Sequence, residues 1–282
     1  MTEHDRRHPM RYSREDVETA ESVPVTPQTQ SPAYRLAFAD EDFLCREELR
    51  PVRLQLELMK PTLLMDEAEI DSTVVLFGGA RIPRPDARDN ARTETLRGLA
   101  DQYAEARRFA QLITERSLAR SGGRENVIVT GGGPGVMEAG NRGAADAGGR
   151  SIGLNIVLPH EQAPNPYVTP ELSFNFHYVA IRKMHFLVRA AAVCVFPGGF
   201  GTMDELFETL TLIQTGRMER VPVLLFGESF WRSILNLDAL LDAGTIGQDD
   251  LDLFRFVETA EDALAQMDNW HLPRTRREAL HR

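Results

Sequence analysis

Short apolar runs alternate with amphipathic stretches along most of the chain. Several of the runs are mainly apolar and rich in β-branched residues, which is typical of strands buried on both faces of a parallel sheet. The predicted strands cover residues 73–77, 126–130, 151–157, 173–178, 192–196, 221–226 and 254–257. The predicted helices cover residues 92–120, 136–147, 180–190, 202–215, 229–241 and a closing segment from 259. This alternation predicts an α/β fold: a doubly wound, Rossmann-like parallel sheet with helices on both faces and ligands at the carboxyl ends of the strands.

The pattern also divides the chain into four segments. Residues 1–35 are polar and lack apolar periodicity, so we expect a disordered tail. Residues 36–70 carry spaced apolar residues among charged ones, which predicts a helical extension that packs on the main domain or on a partner subunit. Residues 71–270 form the predicted nucleotide-binding domain, with an irregular, Pro-rich link after residue 157. Residues 271–282 are predicted to be a polar tail.

Two glycine-rich loops each follow a predicted strand and precede a predicted helix. The first contains Gly131, Gly132, Gly133 and Gly135, and the second contains Gly198, Gly199 and Gly201, followed by Thr202. Glycine lets the backbone approach a ligand closely, and the first N–H groups of a helix point at an anion placed there. Two such loops in one domain predict a phosphorylated small molecule held between two strand ends.

A simpler interpretation explains part of the second loop. Thr202 and Glu205 have the spacing of a capping box, in which the two side chains satisfy the first free N–H groups of a helix. Capping needs no ligand, but it gives no reason for the glycines that precede it. We therefore favour the phosphate-binding interpretation.

The familiar nucleotide motifs are absent. The dinucleotide fingerprint Gly-x-Gly-x-x-Gly, counted from Gly131, meets Val136 where its third glycine should be. The next predicted strand ends with Asn155, Ile156 and Val157, without an acidic residue for a ribose. No Gly-Lys-Ser or Gly-Lys-Thr occurs either, so a Walker loop is excluded.

Composition narrows the setting. The 282 residues carry a net charge of −10, which argues against a nucleic-acid partner because such a surface needs a basic face. The longest apolar run, 190–196, is too short to span a membrane, and the start of the chain lacks the apolar segment of a secretory signal. Cys45 and Cys194 are the only cysteines, so no disulfide framework is expected. We expect a cytoplasmic protein with no membrane partner, and the Cys/His spacing predicts no metal site.

The segment 178–185 lies between a predicted strand and a predicted helix, on the side where both glycine loops open. It contains Arg182, whose planar fork of donors suits a phosphate, a carboxylate partner or a leaving group. A salt bridge at a helix start or at an interface would account for the same arginine.

Three motifs together resemble the Lonely-guy family of cytokinin-activating nucleoside 5′-monophosphate phosphoribohydrolases, to which bacterial purine nucleotide nucleosidases are related. They are Gly-Gly-Gly-Pro-Gly-Val-Met-Glu at 131–138, Arg182-Lys183, and Pro-Gly-Gly-Phe-Gly-Thr-Met-Asp-Glu at 197–205. The resemblance covers residues 71–270 and departs from the family at Gly79, where a serine is usual. It implies that the loop at 131–135 binds the 5′-phosphate with Thr202, and that Arg182 and Glu205 carry the chemistry, without a cofactor. Gly79, Met184 and Glu138 are further candidates for substrate contact.

The implied reaction fits these residue types. Cleavage of an N-glycosidic bond builds positive charge on the ribose, which a carboxylate such as Glu205 stabilises. Arg182 would orient that carboxylate and keep it ionised, while Asp204 is a less favoured acid. A purine nucleoside 5′-monophosphate is the expected substrate. The resemblance also implies a homo-oligomer, at least a dimer, with the helices after Tyr178 and Thr202 near the interface.

Two other functions use related sequences. Similar chains are sometimes described as lysine decarboxylases, but pyridoxal phosphate needs a Schiff-base lysine, and neither Lys60 nor Lys183 has a suitable context. Molybdenum-cofactor carriers share this fold and its glycine loops, and would hold a pterin phosphate without cleaving it. The presence of both an arginine and the glutamate at the end of the motif favours the enzyme.

Overall fold

The structure, a computed structural model, describes residues 10–159 and 163–270. Residues 1–9, residues 160–162 of the irregular link and the predicted polar tail at 271–282 lie outside the described residues. The described part of the chain divides into two compact units, one ending at Glu57 and the other beginning at Leu58.

The first unit is built from short helical segments. It contains α1 (Ser13–Glu21), α2 (Glu41–Leu44) and the beginning of α3 (Arg50–Glu67). Asp40 caps α2 by accepting a hydrogen bond from the Phe43 N–H (3.2 Å), and Arg53 in α3 donates to the Leu44 carbonyl (2.8 Å). Helix α1 buries no residue and lies where the sequence predicts a tail. The segment boundaries at 35/36 and 70/71 stay predictions.

The second unit is organised around one parallel sheet. Within the described residues its strands are β1 (Thr73–Phe77), β2 (Val127–Thr130), β3 (Ser151–Ile156), β4 (Ser173–Phe176), β5 (Ala190–Val195), β6 (Val223–Phe226) and β7 (Arg255–Val257). Their order across the sheet is β4-β3-β2-β1-β5-β6-β7, and every pairing is parallel. The order reverses between β1 and β5, and ligands of open α/β sheets bind in the crevice at such a reversal.

Helices cover both faces of the sheet, so the predicted fold class is confirmed. They are α4 (Glu94–Gly98), α5 (Ala100–Ser121), α6 (Val136–Asp146), α7 (Val179–Leu187), α8 (Phe200–Gln214), α9 (Glu228–Ile234), α10 (Leu237–Asp242) and α11 (Ala260–Asp268). The helix predicted at 229–241 is in fact α9 and α10. The chain is extended at Leu235, and the Asn236 side chain then caps a new helix by accepting from the Ala239 N–H (3.0 Å). The helix predicted at 92–120 is likewise divided, at Leu99.

Neighbouring residues of the central strands belong to two separate apolar clusters. Val75 packs in one cluster with α7, α8 and α9, whereas Val74 packs in the other with α5, α6 and α11. Because successive side chains of a strand point to opposite faces, the two clusters lie on opposite faces of the sheet. None of the helices in the described ranges is both long and apolar enough to cross a membrane.

Two arginines tie the end of α3 to the sheet. Arg189 donates to the Ile70 carbonyl (2.6 Å) and pairs with Asp66 (2.5 Å). Arg150, just before β3, donates to the Ala68 carbonyl (2.8 Å). Charged donors that satisfy carbonyls at a helix C-terminus also complement the helix dipole.

Helices α5 and α6 approach each other closely at Gly143. A Cβ at this position would overlap the Arg107 carbonyl oxygen and lie 2.8 Å from the Ala110 Cβ. Backbone and a buried methyl group cannot move aside as a long side chain can. The close contact between the two helices therefore requires glycine here.

This contact generates a stability prediction. Gly143→Ala should lower the free energy of unfolding by about 2 kcal/mol or more, because it overpacks the contact between two helices. Gly98→Ala is the matched control: a Cβ at Gly98, also helical, meets nothing within 4 Å. It should be neutral or stabilise by up to about 1 kcal/mol through helix propensity. Urea unfolding of the two variants measures the difference, and equal effects would contradict the packing explanation.

Candidate active site

Three loops converge at the carboxyl ends of β1, β2 and β5. The Gly79 N–H after β1 donates to the Pro197 carbonyl after β5 (2.9 Å). The Gly79 carbonyl in turn accepts from the Val136 N–H (3.3 Å), the first residue of α6. These two bonds place both glycine loops at the strand-order reversal, next to each other.

Several of the glycines are required by contacts within the chain. Gly135 has φ +68°, and a Cβ there would overlap the Gly79 carbonyl oxygen. A Cβ at Gly198 would overlap Oγ1 of Thr202, and one at Gly131 would lie 2.7 Å from Nη2 of Arg182. The sequence predicts that all of these glycines allow close approach of a ligand, but the packing of the loops accounts for Gly135 and Gly198 without one. At Gly131 the nearest atoms are the ends of the Arg182 and Met137 side chains.

Two glycines of the second loop have no such explanation. A Cβ at Gly199 or Gly201 would meet nothing within 4 Å, so both positions border open space. Gly199 is also the N-cap of α8, and its backbone, without a side chain, leaves the first turn of the helix accessible. These positions are where the structure offers room for a bound anion.

The capping-box interpretation of Thr202 is wrong. Helix α8 begins at Phe200 with Gly199 as its N-cap and without a side-chain capping bond, so Thr202 is the third residue of the helix. Thr202 and Glu205 are both buried within the first two turns. Helix capping therefore explains neither side chain.

The first glycine loop is hydrogen-bonded to Asn165, a residue that no motif in the sequence indicates. The Asn165 amide donates to the carbonyl oxygens of Gly132 (3.1 Å) and Gly133 (3.0 Å), and the Asn165 N–H also donates to Gly132 (2.8 Å). Its amide further donates to the buried Asn141 side chain (2.9 Å), which accepts from Thr130 (2.7 Å). Asn165 lies in the irregular link, where no periodic pattern marks it.

Arg182, in α7, lies against the first loop. Its Nε donates to the Leu154 carbonyl at 2.7 Å, and its Cζ lies 5.3 Å from the centre of the Phe186 ring. The hydrogen bond and the ring contact fix the plane of the guanidinium, with Nη2 beside Gly131. A positive group is thus oriented next to the loop predicted to bind phosphate.

Glu205, in α8, is a buried carboxyl group in this region. It is 8% exposed, and among the described residues its buried Oε2 has no hydrogen-bond partner. Burial raises the pKa of Glu205 to about 7; Lys183 and Arg182 lower it, while Glu208 and Asp204 raise it further. A carboxyl group that titrates near neutral pH is suited to proton transfer.

The two other side chains proposed from the sequence, Glu138 and Met184, have different surroundings from Glu205. Glu138 accepts a hydrogen bond from the Tyr103 hydroxyl (2.7 Å), and Tyr103 belongs to the apolar cluster on the face opposite α8. Met184 is about half exposed on α7. Their roles as substrate contacts stay predictions, as do those of Gly79, Arg182, Glu205 and the loop glycines.

Lys183 is held as a cation. Its ammonium pairs with Asp204 (3.0 Å) and Glu208 (2.9 Å). Burial alone would lower the pKa of Lys183, but hydrogen bonds to Glu208 and Asp204 outweigh it and raise the pKa overall. A Schiff base forms from a neutral amine, so this environment does not fit pyridoxal chemistry. Lys60, on α3, is exposed. Over the described ranges, no cluster of three or more His, Cys, Asp or Glu side chains suits a metal ion.

The chain is similar in sequence to one family model and to several curated proteins. A family model described as "possible lysine decarboxylase" matches residues 137–267, a little under half of the chain. The cytokinin riboside 5′-monophosphate phosphoribohydrolase LOG3 of Arabidopsis thaliana is 23% identical over 148 residues, 51% of this chain and 67% of that protein. A probable cytokinin riboside 5′-monophosphate phosphoribohydrolase of Oryza sativa subsp. japonica, LOGL5, is 26% identical over 178 residues, 62% of this chain and 68% of that protein.

Solved structures are similar at a lower level. The molybdenum cofactor binding protein of Rippkaea orientalis is 19% identical, with a TM-score of 0.46 over 70% of this chain and 96% of that one. The molybdenum cofactor carrier protein of Chlamydomonas reinhardtii is 18% identical, with a TM-score of 0.44 over the same shares. TM-scores below 0.5 do not distinguish a carrier from a hydrolase.

The fold and the site thus define a Rossmann-like α/β protein with two glycine loops beside a buried carboxyl group. The sequence matches confirm the resemblance to the Lonely-guy family that the three motifs indicate. At the level of the family, they support a hydrolase of nucleotide N-glycosidic bonds.

The buried carboxyl group makes stability depend on pH. The pKa of Glu205 is about 7 in the folded chain against 4.5 for an unperturbed glutamate, so the folded state holds the proton more tightly. Its contribution to stability is therefore complete below about pH 4.5 and is lost as the pH rises through 7. Relative to Glu205→Gln, the wild type should lose on the order of 2–3 kcal/mol between pH 4.5 and 8.

Urea unfolding at both pH values measures this difference. Asp204→Asn is the control, because it removes the same charge from the same helix at a side chain that is 59% exposed. It should keep most of the pH dependence of the wild type, because Asp204 is the weakest of the influences on the pKa of Glu205. A pH profile of Glu205→Gln that parallels the wild type would show that Glu205 does not titrate in this range.

Proposed function

We propose that the chain hydrolyses the N-glycosidic bond of purine nucleoside 5′-monophosphates, giving the free base and ribose 5-phosphate. The observation that carries this proposal is the environment of Glu205. A buried carboxyl group with an unpaired oxygen and a pKa near 7 is costly to keep. Such groups are concentrated at sites of proton transfer, and this one lies in the helix that follows the second glycine loop.

The same edge of the sheet offers groups that suit the 5′-phosphate of the substrate. Helices α6 and α8 both begin there, and each is long enough to present a partial positive charge at its N-terminus. The open positions Gly199 and Gly201 let an anion approach the start of α8, and Arg182 supplies a full positive charge beside Gly131. In the proposal the 5′-phosphate binds the loop at 131–135 and Thr202, remote from the reacting carbon.

The reaction then follows from the charges. The C1′–N bond breaks, positive charge develops on the ribose, and the ionised Glu205 stabilises it. Water forms the new C1′–O bond, and Glu205 takes the proton that the water loses. The departing base receives that proton, so no other reactant is consumed. Because the pKa of Glu205 is near 7, the carboxyl can both accept and return a proton. Arg182 keeps part of the carboxyl population ionised, since its charge lowers the pKa of Glu205.

The names of the curated relatives support the substrate class. One is named a cytokinin riboside 5′-monophosphate phosphoribohydrolase and the other a probable one. The proposed substrate is likewise a nucleoside 5′-monophosphate, and the bond to be cleaved is of the same type. The carrier alternative lacks a comparable observation. A protein that only holds an anionic phosphorylated ligand gains nothing from a buried carboxylate beside its site, because like charges repel.

The proposal is tested by incubating the protein with AMP and measuring adenine and ribose 5-phosphate by chromatography. We expect both products in equal amounts, with adenosine a far poorer substrate because phosphate binding supplies orientation. Glu205→Gln should lower kcat by about 10²- to 10³-fold while AMP still binds. The wild-type kcat/KM should rise with pH up to about 7 and then level, since the ionised carboxyl is the active form.

Asp204→Asn is the matched variant and should lose less than about tenfold, because this carboxylate is exposed and paired with Lys183. If AMP, GMP, IMP and CMP all bind but none yields a free base, the carrier alternative is correct. Equal activity on adenosine and AMP would contradict the phosphate assignment.

The proposal includes self-association through α7 and α8. Apolar side chains are exposed along both helices, including Val179 and Val188 on or next to α7 and Phe207 on α8. Phe200, at the start of α8, is 96% exposed. Exposed apolar residues on neighbouring helices are the feature that supports this interface.

Light scattering at micromolar concentration should give at least twice the 31.6 kDa chain mass. Val188→Glu should shift the population toward the monomer, because it places a charge in an apolar interface. Ile234→Glu is the control, since Ile234 is similarly exposed but lies on α9. A monomer mass for the wild type would refute self-association.

A further inference from the structure

A cavity lies on the face of the sheet opposite Glu205. It has a volume of about 630 Å³, within the range of small-molecule sites. Its lining comes from α5, α6 and the segment just before them, and includes Arg84, Arg107, Arg108, Arg142, Asp86 and Asp146. None of the residues that form the candidate active site lines it.

The close contact between α5 and α6 creates this arrangement. Gly143 brings the backbone of α6 against the carbonyl of Arg107, so the side chains on either side of that contact face a common space. Arg107 pairs through Nε with Asp146 (2.5 Å), and Arg108 pairs through Nε with Glu261 (3.1 Å). Both guanidiniums are therefore anchored through Nε, and Arg108 also donates from Nη1 to Gln111 (3.5 Å), so these contacts restrict the positions of the terminal nitrogens.

Arg142 is fixed in a different way. Its guanidinium lies 5.4 Å from the centre of the Tyr167 ring and donates a hydrogen bond to the Tyr103 hydroxyl oxygen, whose O–H in turn donates to Glu138. The ring contact and the hydrogen bond reduce the conformational freedom that this side chain loses when a ligand binds.

The lining carries a local excess of positive charge. Four guanidiniums face the cavity against two carboxylates, in a protein whose net charge is −10. A ligand must compete with Asp86, Asp146 and Glu261, the last of which pairs with Arg108 from outside the lining, and a single negative charge would compete poorly. Guanidinium forks match the oxygens of phosphate groups, and a ligand with several such oxygens can contact two or more arginines at once.

We propose that this cavity is a second anion-binding site that takes a small molecule carrying a diphosphate or longer polyphosphate group. The site is independent of the proposed hydrolysis, because its lining includes neither Glu205 nor Arg182 nor any residue of the glycine loops.

Titration calorimetry with inorganic pyrophosphate tests the site. Arg107→Gln should weaken binding about tenfold or more, because it removes a charge-assisted contact. Asp146→Asn should instead tighten binding several-fold, since it removes the carboxylate that competes with the ligand for Arg107. Both substitutions break the same ion pair, so a purely structural effect would move the affinity in the same direction in both variants.

Arg116→Gln is the matched control. Arg116 lies on the same helix and pairs with Asp268 through two bonds (2.6 and 2.9 Å), but it does not line the cavity. Its affinity for pyrophosphate should equal that of the wild type. If Arg107→Gln does not fold, Arg108→Gln, whose partner is Glu261, replaces it in the same comparison.

Three results would overturn the proposal. They are no pyrophosphate binding by the wild type, unchanged binding in the cavity arginine variant, and a shift in the same direction for Arg107→Gln and Asp146→Asn. Pyrophosphate that bound only at the glycine loops would leave the Arg107 and Asp146 variants unchanged, so it too would count against the site.

Discussion

The carbonyl oxygen of Gly79 occupies the space that a side chain at Gly135 would need. The same residue donates its N–H to Pro197, so one short segment after β1 contacts both glycine loops. Because the strands are parallel and the sheet order reverses here, this contact sets where α6 and α8 begin. The two helix N-termini, the open positions in the second loop and the approach of Arg182 all depend on it. Contacts within the chain thus hold the loops in position without a ligand, which lowers the entropic cost of binding.

The position of α8 in turn buries Glu205. A carboxyl group without a partner for one oxygen destabilises the folded chain once it ionises, and nearby Lys183 and Arg182 offset only part of that cost. Lys183 is itself shared between Asp204 and Glu208, so it does not neutralise Glu205 completely. Stability is given up at a site where a carboxyl that titrates near neutrality is chemically useful, a common arrangement at active sites.

The two faces of the sheet carry different chemistry. On one face, α7 and α8 place an acid next to cations and glycine loops. On the other, the close packing of α5 and α6 at Gly143 gathers arginines around a cavity. The faces are connected at α6, which begins at the first glycine loop and carries both Glu138 and Arg142. The same helix thus contributes to the candidate active site at its N-terminus and to the arginine cavity farther along.

The fold class and most of the strands could be predicted from the sequence. Strand β1 lies at Thr73–Phe77, as the pattern predicts, because a strand buried on both faces reads as a continuous apolar run that needs no distant partner to be recognised. The glycine loops and the family motifs were likewise visible, since both are local patterns of residue type. The predicted start of α8, at Thr202, was wrong because Thr202 and Glu205 match a capping rule that considers only neighbouring residues. In the structure, the glycine loop turns into the helix two residues earlier, at Phe200.

The chemistry of the site arises from packing between elements that are distant along the chain. Asn165 supports the first loop through residues 24 to 33 positions away, a separation that no local pattern encodes. The pKa of Glu205 depends on burial and on charges from two helices, α7 and α8, so it follows from packing and not from residue type. The arginine cavity has the same origin: Arg107 and Arg142 line one cavity because Gly143 on α6 allows α5 and α6 to pack closely. Local sequence specifies which residues can form a strand or a loop, whereas burial and long-range proximity arise only once those elements pack.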